Sequence, residues 1–321
     1  MKKHKKILIT GSNGFVGRAL YVELKKLGYN LTGSVRNSSK FIKGQANIVV
    51  GSINGETAWE EALQDCNVVI HLAGMAHLLN DKSGKRIDEF KIINTEGTIN
   101  LAKQAVNKGV ERFIFISSIA VNGSKSGKRP ITEKTAENPQ TPYARSKLEA
   151  EKALFQISSQ NKMEVVIVRP PAIYGKNAPG NFGLIETFIR RGIPLPFGSI
   201  NNKRSLIYIH NLLSFLAICI EHKNVAEKVF VIDDNNDFST AEIILLIATI
   251  SKNKARIIKF PKIILSFLLK AIGKNKVRES LLENFQIDSS ASRKLTGWYP
   301  AFNPRELFLK SYITKNIKRN L

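Results

Sequence analysis

The chain has 321 residues, 43% of them hydrophobic, which is ample for a core and far from the composition of a disordered chain. Two cysteines, Cys66 and Cys219, exclude a disulfide-built scaffold, and no apolar run approaches the roughly 18 residues of a membrane span. The net charge is +23, but the cations are scattered and no nucleic-acid-binding motif accompanies them, so no nucleic-acid partner is expected.

The basic start is followed by only three apolar residues, Ile7-Leu8-Ile9, too few for a signal-peptide core, and a cytoplasmic location is expected. From there, short apolar runs at 7–9, 31–35, 48–50, 68–70, 113–116 and 165–168 predict strands. Periodic segments at 15–27, 58–63, 92–107 and 144–158 predict helices between them. Strands apolar on both faces and separated by helices predict a doubly wound α/β fold with a parallel sheet. After Tyr174 the texture changes to Pro- and Gly-broken segments, with a helix expected at 212–221, a strand at 229–232 and a helix at 240–251. Residues 1–173 therefore read as a dinucleotide-binding domain to which 205–222 return, and 174–321 mainly as a smaller substrate cap.

The first strand runs into Thr10-Gly11-Ser12-Asn13-Gly14-Phe15-Val16-Gly17 and then into an amphipathic helix. Glycines at 11, 14 and 17 permit a tight turn, a close approach to a pyrophosphate, and close packing of helix on strand, while the helix N-terminus offers free N–H groups. The strand–turn–helix setting is what gives the motif its weight. The second strand ends in Ser34-Val35-Arg36 with no acid before Glu56. An acid there would bind the ribose hydroxyl of NAD(H), whereas Arg36 suits the 2′-phosphate of NADP(H), and NADP(H) is the expectation.

Thr141 and Pro142 mark a helix start, and the helix carries Tyr143 and Lys147 one turn apart on one face. A tyrosine is a poor acid–base group at neutral pH, but a neighbouring ammonium stabilises its phenolate. The strand at 113–116 ends in Ser117-Ser118 at the sheet edge where open α/β folds bind ligands, so a serine hydroxyl there can hold a substrate oxygen beside Tyr143. No metal site is expected.

With these residues in place, the chain resembles the extended short-chain dehydrogenase/reductases, the NAD-dependent epimerase/dehydratase family. The resemblance spans nearly the whole chain: the TGSNGFVG loop, His71-Leu72-Ala73-Gly74, Asn94, Ser118, Tyr143, Lys147 and Arg169-Pro170-Pro171-Ala172-Ile173-Tyr174-Gly175. It implies catalysis by Ser118, Tyr143 and Lys147, with Ser117 as the adjacent alternative to Ser118. It also implies cofactor contacts from Gly11, Asn13, Gly14, Phe15, Val16, Gly17, Leu72, Ala73, Gly74, Asn94 and Pro170, with Tyr143 and Lys147 and the separately argued Arg36. Asn122 departs from the tyrosine common in the family.

On the substrate side, Asn181 can donate to a phosphate or uracil edge, Phe197 can pack on a base, and Arg204 can clamp a diphosphate, with Arg278 a further candidate. The loops resemble those of bacterial enzymes acting on UDP-N-acetylated sugars. The implied activity is NADP(H)-dependent reduction of the C4 ketone of a UDP-2-acetamido-2,6-dideoxy-hexos-4-ulose for surface polysaccharide synthesis. The alternatives are a UDP-hexose 4-epimerase with tightly bound NAD and, in another class, a non-catalytic nucleotide-binding scaffold. A 4,6-dehydratase is disfavoured because Ile119-Ala120 supply no carboxylate. Family members often dimerise through two helices per subunit, and a homodimer is expected on that ground. The segment 257–272 is apolar and lysine-flanked: its breadth favours a helix buried in the cap, and the other reading is a basic amphipathic helix on the inner membrane surface.

Overall fold

The computed structural model describes residues 5–76, 87–304 and 306. Seven strands form one parallel sheet: β1 (Lys6–Thr10), β2 (Asn30–Val35), β3 (Asn47–Val49), β4 (Val68–His71), β5 (Arg112–Ile116), β6 (Glu164–Arg169) and, last in the chain, a strand at Lys228–Val231. Their order across the sheet is β3-β2-β1-β4-β5-β6 and then that last strand. The alternation of side chains decides what packs where. Ile7, Ile9, Val68, Ile70, Ile114 and Val166 point to one face and meet α1 (Phe15–Lys26) and a later helix at Ile209–Glu221. Leu8, Val69, Phe113, Phe115, Val165 and Ile167 point to the other face, under α3 (Gly97–Asn107) and α4 (Pro142–Ser159). Both faces are covered, which is why these strands are apolar throughout.

The helix expected at 92–107 begins earlier, as α2 (Ile87–Phe90), and passes through a wide π-helical turn over Lys91–Glu96 before α3. The helix expected at 58–63 is absent, and a series of turns stands there. The Trp59 N–H donates to the Gln104 side chain at 2.8 Å and only Leu63 N–H reaches back four residues, to Trp59 O at 2.9 Å. Six residues cannot offset the cost of nucleating a helix, so Trp59, Ala62 and Leu63 are buried from turns instead.

Beyond the sheet, β7 (Ala172–Tyr174) pairs in parallel with β8 (Arg204–Tyr208), which leads directly into α6, the Ile209–Glu221 helix. β9 is the Lys228–Val231 strand, and β10 (Asp237–Phe238) pairs antiparallel with β8. The cap has its own core, in which α5 (Asn181–Arg190) and α7 (Thr240–Ile250) pack around Tyr174, Leu195 and Phe238. Helix α7 is fixed at its start by a reciprocal capping box between Ser239 and Glu242. Then come α8 (Lys262–Ala271), α9 (Asn275–Leu282) and α10 (Ser290–Thr296). Helix α8 overturns the buried-helix expectation: of its residues only Leu265 is buried, while Ile263, Ile264, Phe267 and Leu268 face outward. No described helix is long and apolar enough to cross a membrane.

Candidate active site

The sequence-predicted residues converge at the C-terminal ends of β1, β4 and β5, the crevice side of an open sheet. Gly11 sits at φ +64°, and a Cβ on it would lie 3.0 Å from the Ala73 backbone. A Cβ on Gly17 would lie 2.2 Å from Gly11 O, so α1 approaches its strand as closely as glycine allows. Gly14 is the exposed residue that opens α1, and no side chain caps that first turn. The side chain of Arg18 braces the loop by donating to Asn13 O at 2.9 Å. Phe15 and Val16 lean into the core beside Gly175. An uncapped helix start behind a glycine cradle fits the pyrophosphate of a dinucleotide.

Behind the loop lies a hydrogen-bonded chain the sequence did not disclose. Thr10 Oγ1 accepts from the N–H groups of Leu72 and Ala73, each at 3.1 Å, so its own proton points to His71 Nδ1 at 2.7 Å. The Nε2–H of His71 then donates to Thr98 Oγ1 at 3.0 Å, and Thr98 donates to Asn94 O at 2.7 Å. Burial, aided by the charge of Lys147, pushes the His71 imidazole down to about 3, so it stays neutral and keeps this single tautomer. Asn94, in the π-helical turn, is wholly buried: it accepts from Met75 N at 2.8 Å and donates to Met75 O and to Ser146 Oγ, both at 3.0 Å. Asn94 thus ties the Met75 backbone to Ser146 on α4, and its Oδ1 accepts only the one bond from Met75 N. Wide helical turns of this kind often mark functional sites.

Helix α4 is set by Thr141, whose hydroxyl accepts from Ala144 N at 3.1 Å, with Pro142 at its first position. Tyr143 faces Ser118 and shares a hydrogen bond with it, while burial raises the phenol above its ordinary range. Ser118 also accepts from Ala120 N at 3.2 Å. Ser117 is buried with its hydroxyl unpartnered among the described residues, so Ser118 is the serine that meets Tyr143. Lys147 donates to Ile116 O at 2.9 Å and lies 4.4 Å from the centre of the Phe115 ring. Burial pushes its ammonium down to about 8, and nearby Glu151 opposes that shift. A Cβ on Gly74 would come within 2.9 Å of Asn94 Oδ1 and 3.3 Å of Lys147 Nζ, so this glycine keeps the space over the lysine open.

Glu151, one turn past Lys147, is ion-paired with buried Arg169. The same guanidinium donates to Asn122 Oδ1 at 3.1 Å, and Asn122 donates to Thr135 O at 2.8 Å. The residue that departs from the family pattern therefore anchors the arginine behind α4. Pro170 is buried, and its carbonyl accepts from Ile119 N at 3.0 Å. Arg36 follows the end of β2 and is exposed, with no hydrogen bond or ion pair among the described residues.

The substrate-side residues divide. Arg204 donates to Glu283 O at 3.1 Å, lies over the Phe285 ring, and is brought down to about 10 by burial, so it remains a cation. Arg278 pairs with Glu283 at 3.6 Å, and its Nε is buried without a partner among the described residues. Both arginines thus contact Glu283 at the end of α9, Arg204 through its carbonyl and Arg278 through its carboxylate. Asn181 is exposed at the start of α5, after Gly180 at φ +67°. Phe197 is half-buried, packed against two apolar clusters of the cap beside Leu195 and Ile200. No group of three His, Cys, Asp or Glu among the described residues could hold a metal.

A glycine cradle on β1–α1 and a Ser–Tyr–Lys constellation just past β5 and on α4 define an enzyme of the short-chain dehydrogenase/reductase type. The chain belongs to the NAD dependent epimerase/dehydratase family, whose model matches residues 7–233. Among characterised relatives, a UDP-glucose 4-epimerase of Vibrio cholerae is 39% identical over 310 residues, 96% of this chain and 94% of that protein. An N-acetyl-alpha-D-glucosaminyl-diphospho-ditrans,octacis-undecaprenol 4-epimerase of Escherichia coli O157:H7 is 26% identical over 83% of this chain and 77% of its own length. The crystal structure of UDP-glucuronic acid 4-epimerase from Bacillus cereus in complex with NAD superposes with a TM-score of 0.73 at 23% identity, covering 93% of this chain and 94% of that one. That likeness bears on the fold.

Proposed function

We propose that the chain is a UDP-sugar 4-epimerase that retains NAD. The reading rests on the 39% identity to the Vibrio cholerae UDP-glucose 4-epimerase, which extends over 96% of this chain. NAD, when bound in the cradle of Gly11, Gly14 and Gly17, supplies a reversible hydride acceptor. The chain's own residues handle the proton. Tyr143 removes it from the C4 hydroxyl and later returns it to the same oxygen, Ser118 holds that oxygen, and the Lys147 ammonium favours the phenolate. Arg204 and Arg278 offer paired cations to a diphosphate.

A second reading, NADPH-dependent reduction of a UDP-4-keto-6-deoxy-N-acetyl sugar, is favoured by Arg36. Its guanidinium stands free at the end of β2, where a 2′-phosphate would be read. Purified protein given UDP-glucose or UDP-N-acetylglucosamine without added cofactor is expected to invert C4, followed by NMR, and Tyr143→Phe abolishes it. Absence of inversion together with stoichiometric NADPH consumption on the 4-keto sugar would replace the epimerase with the reductase.

A further inference from the structure

Helix α8 presents two apolar rows to solvent, Ile263–Phe267 and Ile264–Leu268–Ile272, each at the spacing of one helical turn. Ile263 is 84% exposed, Phe267 69% and Ile272 65%, whereas Leu265 on the opposite side is 8% exposed against Ile200 and Leu282. A contiguous apolar face on an outer helix is the signature of a docking surface rather than of ordinary surface scatter.

The charge around it selects the occupant. From 243 to 278 the sequence holds nine Lys and Arg and no Asp or Glu. Lys259, Lys262, Lys270 and Lys274 are exposed before, on and just after the helix. A second copy of this face would bring like charge against like charge. The chain's own residues 305–321 hold five cations against the single acid Glu306, and offer no better complement. An apolar stripe flanked by lysines, with no acid on α8 itself, matches a bilayer of anionic phospholipid: the apolar rows enter the acyl boundary and the ammonium groups reach the headgroups.

We propose that α8 docks the enzyme on an anionic lipid surface. This is independent of which sugar the site turns over. Because α8 rests against α9, docking brings α9, which carries Arg278, close to the lipid surface.

The test is co-sedimentation of the whole protein with vesicles of phosphatidylglycerol and phosphatidylethanolamine, compared with phosphatidylcholine alone, at low and high salt. Wild type is expected to pellet with the anionic vesicles and far less with the neutral ones. Ile263→Ser/Phe267→Ser and, separately, Lys262→Glu/Lys270→Glu are each expected to lower the partition coefficient roughly tenfold. All four side chains are exposed, so both variants keep the wild-type thermal midpoint. Wild type remaining in solution at low salt overturns the proposal. So does pelleting unaltered by Ile263→Ser/Phe267→Ser, which would assign it to the general positive charge. A dimer seen in velocity sedimentation and lost in that variant, without vesicle binding, would give the face to a second copy instead.

Discussion

The hydroxyl of Thr10, at the end of β1, lies 2.7 Å from Nδ1 of His71, at the end of β4. This bond spans the crevice strands and fixes where the Leu72–Ala73 backbone sits beneath the glycine loop. A buried neutral histidine carries a pH signature. Its folded pKa is lowered from 6.5 to about 3, so within that window the unfolded chain binds more protons and stability falls as pH drops. The loss amounts to as much as about 5 kcal/mol. His71→Asn is expected to be less stable at pH 7, having lost its packing on Phe115, but flatter between pH 6.5 and 3. Urea denaturation across that range checks it, and parallel curves for the two proteins would refute it.

Removing the phenol oxygen tests the proton path. Tyr143→Phe is expected to lower kcat by roughly 10²–10⁴-fold with little change in the thermal midpoint. Ser118→Ala is expected to cost less, because the Ala120 N–H it releases can turn to water. Single-turnover assays with matched unfolding curves separate the two effects. A Tyr143→Phe variant with ordinary turnover would move the acid–base role elsewhere.

Lys147 predicts opposite signs for activity and stability. Its ammonium is buried and lowered from 10.5 to about 8, so below pH 8 wild type carries the cost of a buried charge. Lys147→Met is expected to lose most activity yet gain up to about 2 kcal/mol at pH 7, the loss of its bond to Ile116 O offsetting part of the relief. As pH rises from 8 toward 10.5 wild type sheds the charge and gains stability, so the gap closes. Thermal midpoints at pH 7 and pH 10 report it, and a gap that widens with pH contradicts the sign.

What the sequence disclosed, and what it did not, follows from chain distance. The strands were legible because residues such as Ile7, Val69 and Ile114 are apolar on both faces, and the i,i+4 pair Tyr143–Lys147 was legible because helical spacing is local. Thr10, His71 and Thr98 meet only after β1, β4 and α3 are assembled, and none carries a local sign of its partner. Helix α8 defeated the reading for another reason: an apolar pattern states that a face avoids water and not what covers it. Phe197 carries the same ambiguity: a half-buried aromatic in a Pro- and Gly-rich loop serves the cap clusters it packs against while part of its surface stays open.

Asn122 ties the family departure to stability. It accepts from Arg169 and donates to Thr135 O, and Arg169 in turn pairs with Glu151 on α4. Asn122→Ala is expected to cost about 1–3 kcal/mol by leaving a buried guanidinium N–H unpaired. Asn122→Asp, which keeps the acceptor, is expected to recover part of that. Equal losses for both would point to packing rather than to the bond.

Gly17 gives the sharpest steric prediction. A Cβ there would sit 2.2 Å from Gly11 O and 2.8 Å from Ser12 Cα, both backbone atoms that no rotamer change can move. Gly17→Ala therefore forces α1 away from β1, which widens the glycine cradle and breaks close packing under Leu20. Overpacking of this kind costs roughly 1–3 kcal/mol. Gly14→Ala meets Gly11 O at 3.1 Å and is otherwise open, so its cost in stability is expected to be smaller. NADH titration by nicotinamide fluorescence and thermal unfolding of both variants should place Gly17→Ala well below Gly14→Ala in stability, with dinucleotide binding lost. Comparable midpoints would mean that the loop yields more than its backbone contacts allow.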